Sequence, residues 1–419
     1  MNIAIVTAIL SLLMYVCAKG NARPYYIVNK SPSRRTRFAP DARDASILGL
    51  TPAEIKAIYS YNTSMSAGSG HTIGIVAAYD SPNIESELST YSTQFGLPAC
   101  TTANGCFKKV GQTGSSYIPS APSSEKGWVG EISLDVELVH AIAPGAKILL
   151  VLANSAESGD VLTAVNYAKK HANYINMSFG FSEDGTDLSS DTVFSQSPSV
   201  SFFAASGDSG SGVEYPSSSP YVIAVGGTTL SISAKGVITE TGWVGSGGGP
   251  SQIEPASLAQ SNSNSVQSTT SSDYRSFRKV PDVSCVADPN SGVAVYSNGI
   301  WQVFGGTSAA TPIITARASH TGKVVNANYI YNGGLTFRDI VTGYSQSTTT
   351  SLTYSCNVGY DYVTGMGSWI GLFNSNITTI IESSTTSPSA SSAQDSSSSG
   401  SLLSFNMIVL TLCIIINFI

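Results

Sequence analysis

One serine, Ser308, sits in the stretch GGTSAATP at residues 305–312, flanked by glycines and alanines and followed by a proline. Small residues let a backbone and a bound substrate approach closely, and a strand-to-helix turn here would present the Ser308 hydroxyl beside freed amide hydrogens. Taken alone, GTSA is also an ordinary turn. A serine hydroxyl is a weak nucleophile without a base, so its chemistry depends on what else the chain supplies. The four histidines, His71, His140, His171 and His320, stand in settings that read as surface or internally satisfied positions. Two carboxylates offer an alternative. Glu131 and Asp135, in GEISLDVELVHAIAP at residues 130–144, are one helical turn apart and share a face, whereas His140 points about half a rotation away from Glu131. Like charges so placed repel, and partial burial would raise the proton affinity of one of them. Such a coupled pair can accept the Ser308 proton in acid, where imidazole is already charged; spacing alone equally allows a solvated acidic face. A third acid, Asp208 in SGDSG, follows the apolar run FFAA into a glycine-rich turn. Protonated, it would donate to a developing oxyanion; locally it also suits a plain turn.

Positioning these groups takes a frame of alternating elements. TPAE at residues 51–54 reads as a helix start with proline in its first turn. Residues 71–78, 146–153, 174–179, 199–205 and 221–225 are short apolar runs of buried-strand type, and 85–95 and 159–172 read as helices. The segment carrying Glu131 and Asp135 is a helix that ends before Pro144, with Leu134, Leu138 and Ile142 at four-residue spacing. Strands alternating with helices imply a mostly parallel sheet covered on both faces, in one large α/β domain. The Ser/Asn-rich residues 261–272 read as a surface loop or insertion.

With 419 residues, 42% hydrophobic and only 11% charged, the chain can bury a large core. Its net charge of −6, with no basic stripe, excludes a nucleic-acid partner. The apolar run at residues 3–18 predicts a signal peptide over 1–20, a membrane anchor being the alternative. Residues 21–46 form a short leader or propeptide, in which SRRTR at 33–37 is either a cleavage site or a solvated basic loop. The main domain spans 47–382. Residues 383–401 are a Ser/Thr-rich linker, and 402–419 an uncharged, mostly apolar tail: a GPI-attachment signal cut near 395–398, or a transmembrane helix. The expected destination is the secretory pathway, ending outside the cell, on its surface, or in an acidic vacuolar or lysosomal compartment. Cys17 and Cys413 fall in segments expected to be removed, and the remaining four cysteines allow three pairings. Cys100–Cys106 with Cys285–Cys356 is favoured over metal binding, because neither histidine nor CxxC accompanies them. Sequons stand at Asn29, Asn62, Asn176 and Asn376, with Asn176 in a strand run and so expected to stay unmodified.

Taken together, GEISLDVELVHAIAP, SGDSG, the following YPSSSPYVIAVGGTTL, PDVSCVADP at 281–289 and FGGTSAATP resemble the sedolisin family, the serine-carboxyl peptidases of subtilisin-like α/β fold. The resemblance runs in order over most of residues 48–376. It implies Ser308 as nucleophile, Glu131 as general base, Asp135 as the residue that orients and couples to Glu131, and Asp208 as oxyanion donor. Acid-acting hydrolysis of protein or peptide substrates through an acyl-enzyme follows; separately, a monomer is expected, and the tail read above predicts membrane attachment through that tail or a lipid anchor. It further implies one structural Ca²⁺, with side-chain oxygens from Asp339 and Asp361 and carbonyls from Ile340, Asn357 and Gly359; hard oxygen ligands suit that ion. Family members generally carry a long folded prodomain, and the leader here is short. Asp80 and Phe179 occupy the places of an expected supporting acid and tryptophan, and Ile132 follows Glu131 where some members have tryptophan. Endopeptidase action is the favoured reading. A tripeptidyl-peptidase, a histidine-dependent subtilase and a catalytically silent surface protein are the alternatives.

Overall fold

The apolar runs read from the sequence become the strands of one large sheet. The computed structural model describes residues 20–31, 47–233, 237–269 and 276–371. The signal-like run, the basic stretch at 33–37, Asn376 and everything from 383 onward lie outside the described residues. Across the sheet the strands run Phe337–Arg338, Ser368–Trp369, Val283–Val286, Ile223–Ile232, Ser201–Ala205, Tyr174–Met177, Thr72–Ala78, Lys147–Ala153, Phe107–Gly111. The seven from Val283–Val286 to Phe107–Gly111 are parallel, as is the pairing with Ser368–Trp369. Antiparallel partners enter only as Phe337–Arg338 and Ile238–Gly242. Every residue from Ile73 to Ala78 is buried, so side chains on both faces of the central strand are covered, the usual state of a parallel sheet.

The helix Gly127–Ile142 is buried on nearly every side, from Trp128 to Ile142, so its acids have no solvent face to occupy. It packs against the helix Thr307–Ser319, which itself lies over the strands Tyr174–Met177, Ser201–Ala205, Ile223–Ile232 and Val283–Val286. The crossing of these two helices at the sheet places Glu131 opposite Ser308. Pro312 lies inside the second helix and removes the N–H that would otherwise bond the Ser308 carbonyl. At the other end of the domain, Thr51 and Glu54 form a reciprocal cap on the helix Pro52–Ile58.

The motif PDVS also has a structural cause. Arg278 grips both Asp282 oxygens, at 2.7 and 2.5 Å, while Asp282 accepts from Ala224 N–H at 2.7 Å and from the Tyr331 hydroxyl at 2.6 Å. This buried fork ties the chain before strand Val283–Val286 to its neighbour.

Two expectations need correction. Residues 261–272 are not simply a loop: Leu258–Asn262 and Asn264–Thr269 are short helices, the first capped by Ser257 and tied to the body by Gln260, whose amide donates to Lys279 O and the Tyr331 hydroxyl. Ser257 and Gln260 here serve as cap and anchor in a stretch that composition alone reads as loop. Cys100 and Cys106 are joined as expected, but Cys285 and Cys356 are separate thiols. Cys285 belongs to the main core and meets the Tyr59 hydroxyl, whereas Cys356 lies in a small cluster with Ile340 and Val363.

Candidate active site

Ser308 is the second residue of the helix Thr307–Ser319, whose N-cap is Gly306 with a left-handed φ of 97°; only glycine tolerates that bend cheaply. The Ser308 hydroxyl donates to Glu131 Oε2 at 2.9 Å and also lies 3.1 Å from Ser178 O. One turn along its helix, Asp135 Oδ1 accepts from the Ser178 hydroxyl at 2.6 Å. Asn176 Nδ2 donates to that hydroxyl at 3.1 Å, and the Thr315 hydroxyl holds Asn176 Oδ1 at 3.2 Å. A polar relay thus runs from the serine helix through the strand to the acid helix.

Glu131, Asp135 and Ser308 are wholly buried. Desolvation pushes the Glu131 carboxyl well above the ordinary range, and the neighbouring Asp135 pushes it further, against the opposing pull of the Ser308 hydrogen bond. Asp135 is raised for the same first reason, its hydrogen bonds to Ser178 and Asn176 working the other way. Glu131 Oε1 and Asp135 Oδ2 have no hydrogen-bond partner among the described residues. A buried pair in this state keeps between its two carboxyls a proton that exposed ones would release.

Asp208 completes the group. Its Oδ1 accepts from Thr307 N–H at 2.7 Å and the Thr307 hydroxyl at 2.8 Å, and its Oδ2 is buried without a partner. Burial raises this carboxyl to about 7, so in acid it carries a proton. Because Oδ1 is occupied as acceptor, that proton belongs on Oδ2, beside Gly306. A cleft of about 710 Å³ adjoins the Asp208 turn, lined among others by Gly207, Ser209, Glu214, Gly249 and Tyr354.

The histidines are elsewhere. His140 Nε2 meets Pro98 O at 2.8 Å and His320 Nε2 meets Ile142 O at 3.0 Å. Burial lowers both, His320 to about 4. His71 packs edge-on against Tyr174, and His171 against Tyr167. Asp80 is ion-paired with Lys109 at 2.7 Å, and Phe179 packs between Trp128 and Phe181. Asp135 is held by the Ser178 hydroxyl, which Asn176 holds in turn, rather than by Asp80. Ser178 and Asn176 were missed from sequence. The available signal is a polar Asn-Met-Ser in an apolar strand, which local pattern presents as a sequon; Asn176 is fully buried.

The residues proposed for calcium gather away from this site. Gly359 N–H donates to Asp339 Oδ2 at 2.9 Å, while Asp361 Oδ2 accepts from Asn357 N–H at 3.2 Å. Both carboxyls are raised by burial, Asp361 to about 6. Among the described residues no lysine or arginine pairs with either acid. Two acids without a cationic partner, on two segments tied together by the Gly359–Asp339 hydrogen bond, are hard oxygen donors of the kind a divalent cation takes, although Asp361 also accepts from Val363 and Thr364 N–H.

The chain is similar to known proteins in sequence and in fold. A model of the subtilase family matches residues 120–327. The chain is 30% identical to kumamolisin of Bacillus sp. (strain MN-32) over 385 residues, covering 84% of this chain and 67% of that protein. It is 29% identical to sedolisin of Pseudomonas sp. (strain 101) over 399 residues, covering 83% of this chain and 63% of the relative. Among solved structures, Pseudomonas sedolisin, a serine-carboxyl proteinase complexed with two molecules of pseudo-iodotyrostatin, aligns with a TM-score of 0.64 at 28% identity, over 77% of this chain and 96% of that one.

Proposed function

The chain belongs to the sedolisin family of serine peptidases, with their subtilisin-like fold, and on that footing we propose that it is an acid-acting endopeptidase that cuts peptide bonds through an acyl-enzyme on Ser308. The observation that carries this reading is the 2.9 Å hydrogen bond from the Ser308 hydroxyl to Glu131 Oε2 inside a buried acid pair. As Ser308 Oγ attacks the substrate carbonyl carbon, Glu131 takes its proton. Asp135, coupled to Glu131 through their shared burial and positioned by Ser178, tunes how readily Glu131 accepts it. Protonated Asp208 donates from Oδ2 to the oxygen that becomes negative, as does the Ser308 N–H. The proton on Glu131 then passes to the leaving amine, and water cleaves the ester by the same path in reverse.

Such a site works in acid for two reasons. Buried together, Glu131 and Asp135 share one proton and one negative charge, so Glu131 can act as base while the proton sits on Asp135, and Asp208 donates only while protonated. One Ca²⁺ on Asp339, Ile340, Asn357, Gly359 and Asp361 belongs to the same proposal; it supplies no chemistry to the reaction and would pin the 339–340 and 357–361 segments together. Export belongs to it too, since the Cys100–Cys106 disulfide suits an oxidising compartment. Among the described residues no helix is long and apolar enough to cross a membrane. The test is turnover of a denatured protein near the ordinary carboxyl pKa, about pH 4, by the chain and its Ser308→Ala variant. Activity in the first and none in the second supports the proposal, whereas equal activity, or none in either, contradicts it.

A further inference from the structure

Residues 22–28 pass through the active site as an extended peptide. Arg23 and Pro24 pair antiparallel with Gly180 and Phe179 on the strand Phe179–Ser182, and Ile27 and Val28 pair antiparallel with Gly305 and Phe304, on the strand leading into Ser308. Between these two short ladders lies the Tyr25–Tyr26 peptide bond. The Tyr25 carbonyl oxygen accepts from Ser308 N–H at 3.0 Å, and the Tyr25 N–H approaches Ser178 O at 3.4 Å. A Cβ added to Gly306 would strike both that carbonyl oxygen and Asp208 Oδ2. The carbonyl therefore shares its niche with the unpartnered Asp208 oxygen and the Ser308 amide, the two donors an oxyanion would need.

The side chains are seated as well as the backbone. Tyr25 is 6% exposed, its hydroxyl against Gly180. Tyr26 stacks on Phe304 with ring centroids 4.9 Å apart, and its hydroxyl lies against Gly130, beside Glu131. Ala22 is buried, its N–H donating to Ala156 O at 2.6 Å, and Arg23 lies 3.6 Å from Glu214. Added strands of this kind gain affinity from main-chain bonds and selectivity from the pockets that take their side chains.

Resting on the peptidase reading above, we propose that the chain is its own first substrate, cutting the Tyr25–Tyr26 bond to leave Tyr26 at the new N-terminus, and that the two tyrosine seats favour bonds flanked by aromatic residues. Ser308 Oγ bonds to the Tyr25 carbonyl carbon as its proton moves to Glu131. The C–N bond to Tyr26 breaks, and the amine nitrogen takes that proton. Water then adds its oxygen to the Tyr25 acyl carbon with one proton passing to Glu131, the ester breaks, and that proton returns to Ser308 Oγ, leaving a Tyr25 carboxyl group. The chain runs through the site with five described residues upstream of Tyr25, from Gly20 to Pro24. A site that takes five residues before the bond to be cut suits internal cleavage rather than stepwise removal of tripeptides.

The full chain, its Ser308→Ala variant and a Tyr26→Pro variant, in which the bond becomes a tertiary amide with no N–H, would be moved from neutral to acidic buffer and read by intact mass and N-terminal sequencing. The full chain is expected to start at Tyr26, at a rate independent of protein concentration, while both variants keep the bond. A peptide of residues 20–31 is expected to be cut between its tyrosines, and aspartate at both positions to lower kcat/KM at least about tenfold. Turnover of a denatured protein with the Tyr25–Tyr26 bond left whole, or first cleavage elsewhere in the leader, overturns this inference and leaves the peptidase reading standing. If neither the leader nor a denatured protein is cut, both fall.

Discussion

Thr307 binds one oxygen of Asp208 through both its amide and its hydroxyl, at 2.7 and 2.8 Å, and leaves the other oxygen buried and free. The arrangement decides where a proton on Asp208 must sit. Asp208→Asn keeps a neutral donor at that place and is expected to retain more activity than Asp208→Ala, which should lose about 10²–10³ in kcat. Since the wild-type carboxyl lies at about 7, the asparagine variant should also lose less of its remaining rate between acidic and neutral pH. Rate profiles of the three proteins test this; equal losses in both variants contradict it.

Stability should fall as pH rises. Burial raises Glu131, Asp135 and Asp208, so the folded state holds protons that the unfolded chain releases. Their contribution is complete below the ordinary carboxyl range, near pH 4, and is lost as pH climbs through the folded values, about 7 for Asp208. For Asp208 alone the loss is on the order of 3–4 kcal/mol. Melting temperatures of Ser308→Ala, used to prevent self-digestion, should drop from pH 4 to pH 8, and adding Glu131→Gln should shrink the drop. A flat or rising curve is inconsistent with buried neutral acids.

The Arg278–Asp282 fork predicts a purely structural effect. Asp282→Asn leaves a buried guanidinium without its counter-charge and should cost about 3–5 kcal/mol in denaturant unfolding. The pH dependence of whatever activity survives should be unchanged, because no part of the fork touches Ser308.

Calcium should stabilise without taking part in turnover. At a hundredfold excess over its Kd the ion would add about 2.7 kcal/mol, visible as a melting shift that a chelator reverses. Asp339→Asn should abolish the shift. A shift that survives in this variant places the ion elsewhere.

Much of this was legible because helical spacing is a strong constraint. Glu131 and Asp135 could be paired, and His140 set aside, from rotation per residue alone, and the parallel sheet followed from apolar runs alternating with helices. What was hidden depends on contacts between distant elements. Ser178 and Asn176 support Asp135 only because the strand Tyr174–Met177 ends against the helix Gly127–Ile142, which no local pattern records. The favoured Cys285–Cys356 pairing does not form, because the two buried thiols are each accommodated in a different cluster. Total burial of the acid helix was also not evident, since an i, i+4 pair of acids reads equally as a solvated face.

The most direct test concerns which group takes the Ser308 proton. Single-turnover acylation of Ser308 at about pH 4 would be measured for the wild type, Glu131→Gln, His140→Ala and His320→Ala. Glu131→Gln should slow acylation by about 10³-fold or more, with the histidine variants acylating within a few-fold of wild type. Near-normal acylation in Glu131→Gln, or its collapse in either histidine variant, would contradict the assignment of Glu131 as the base.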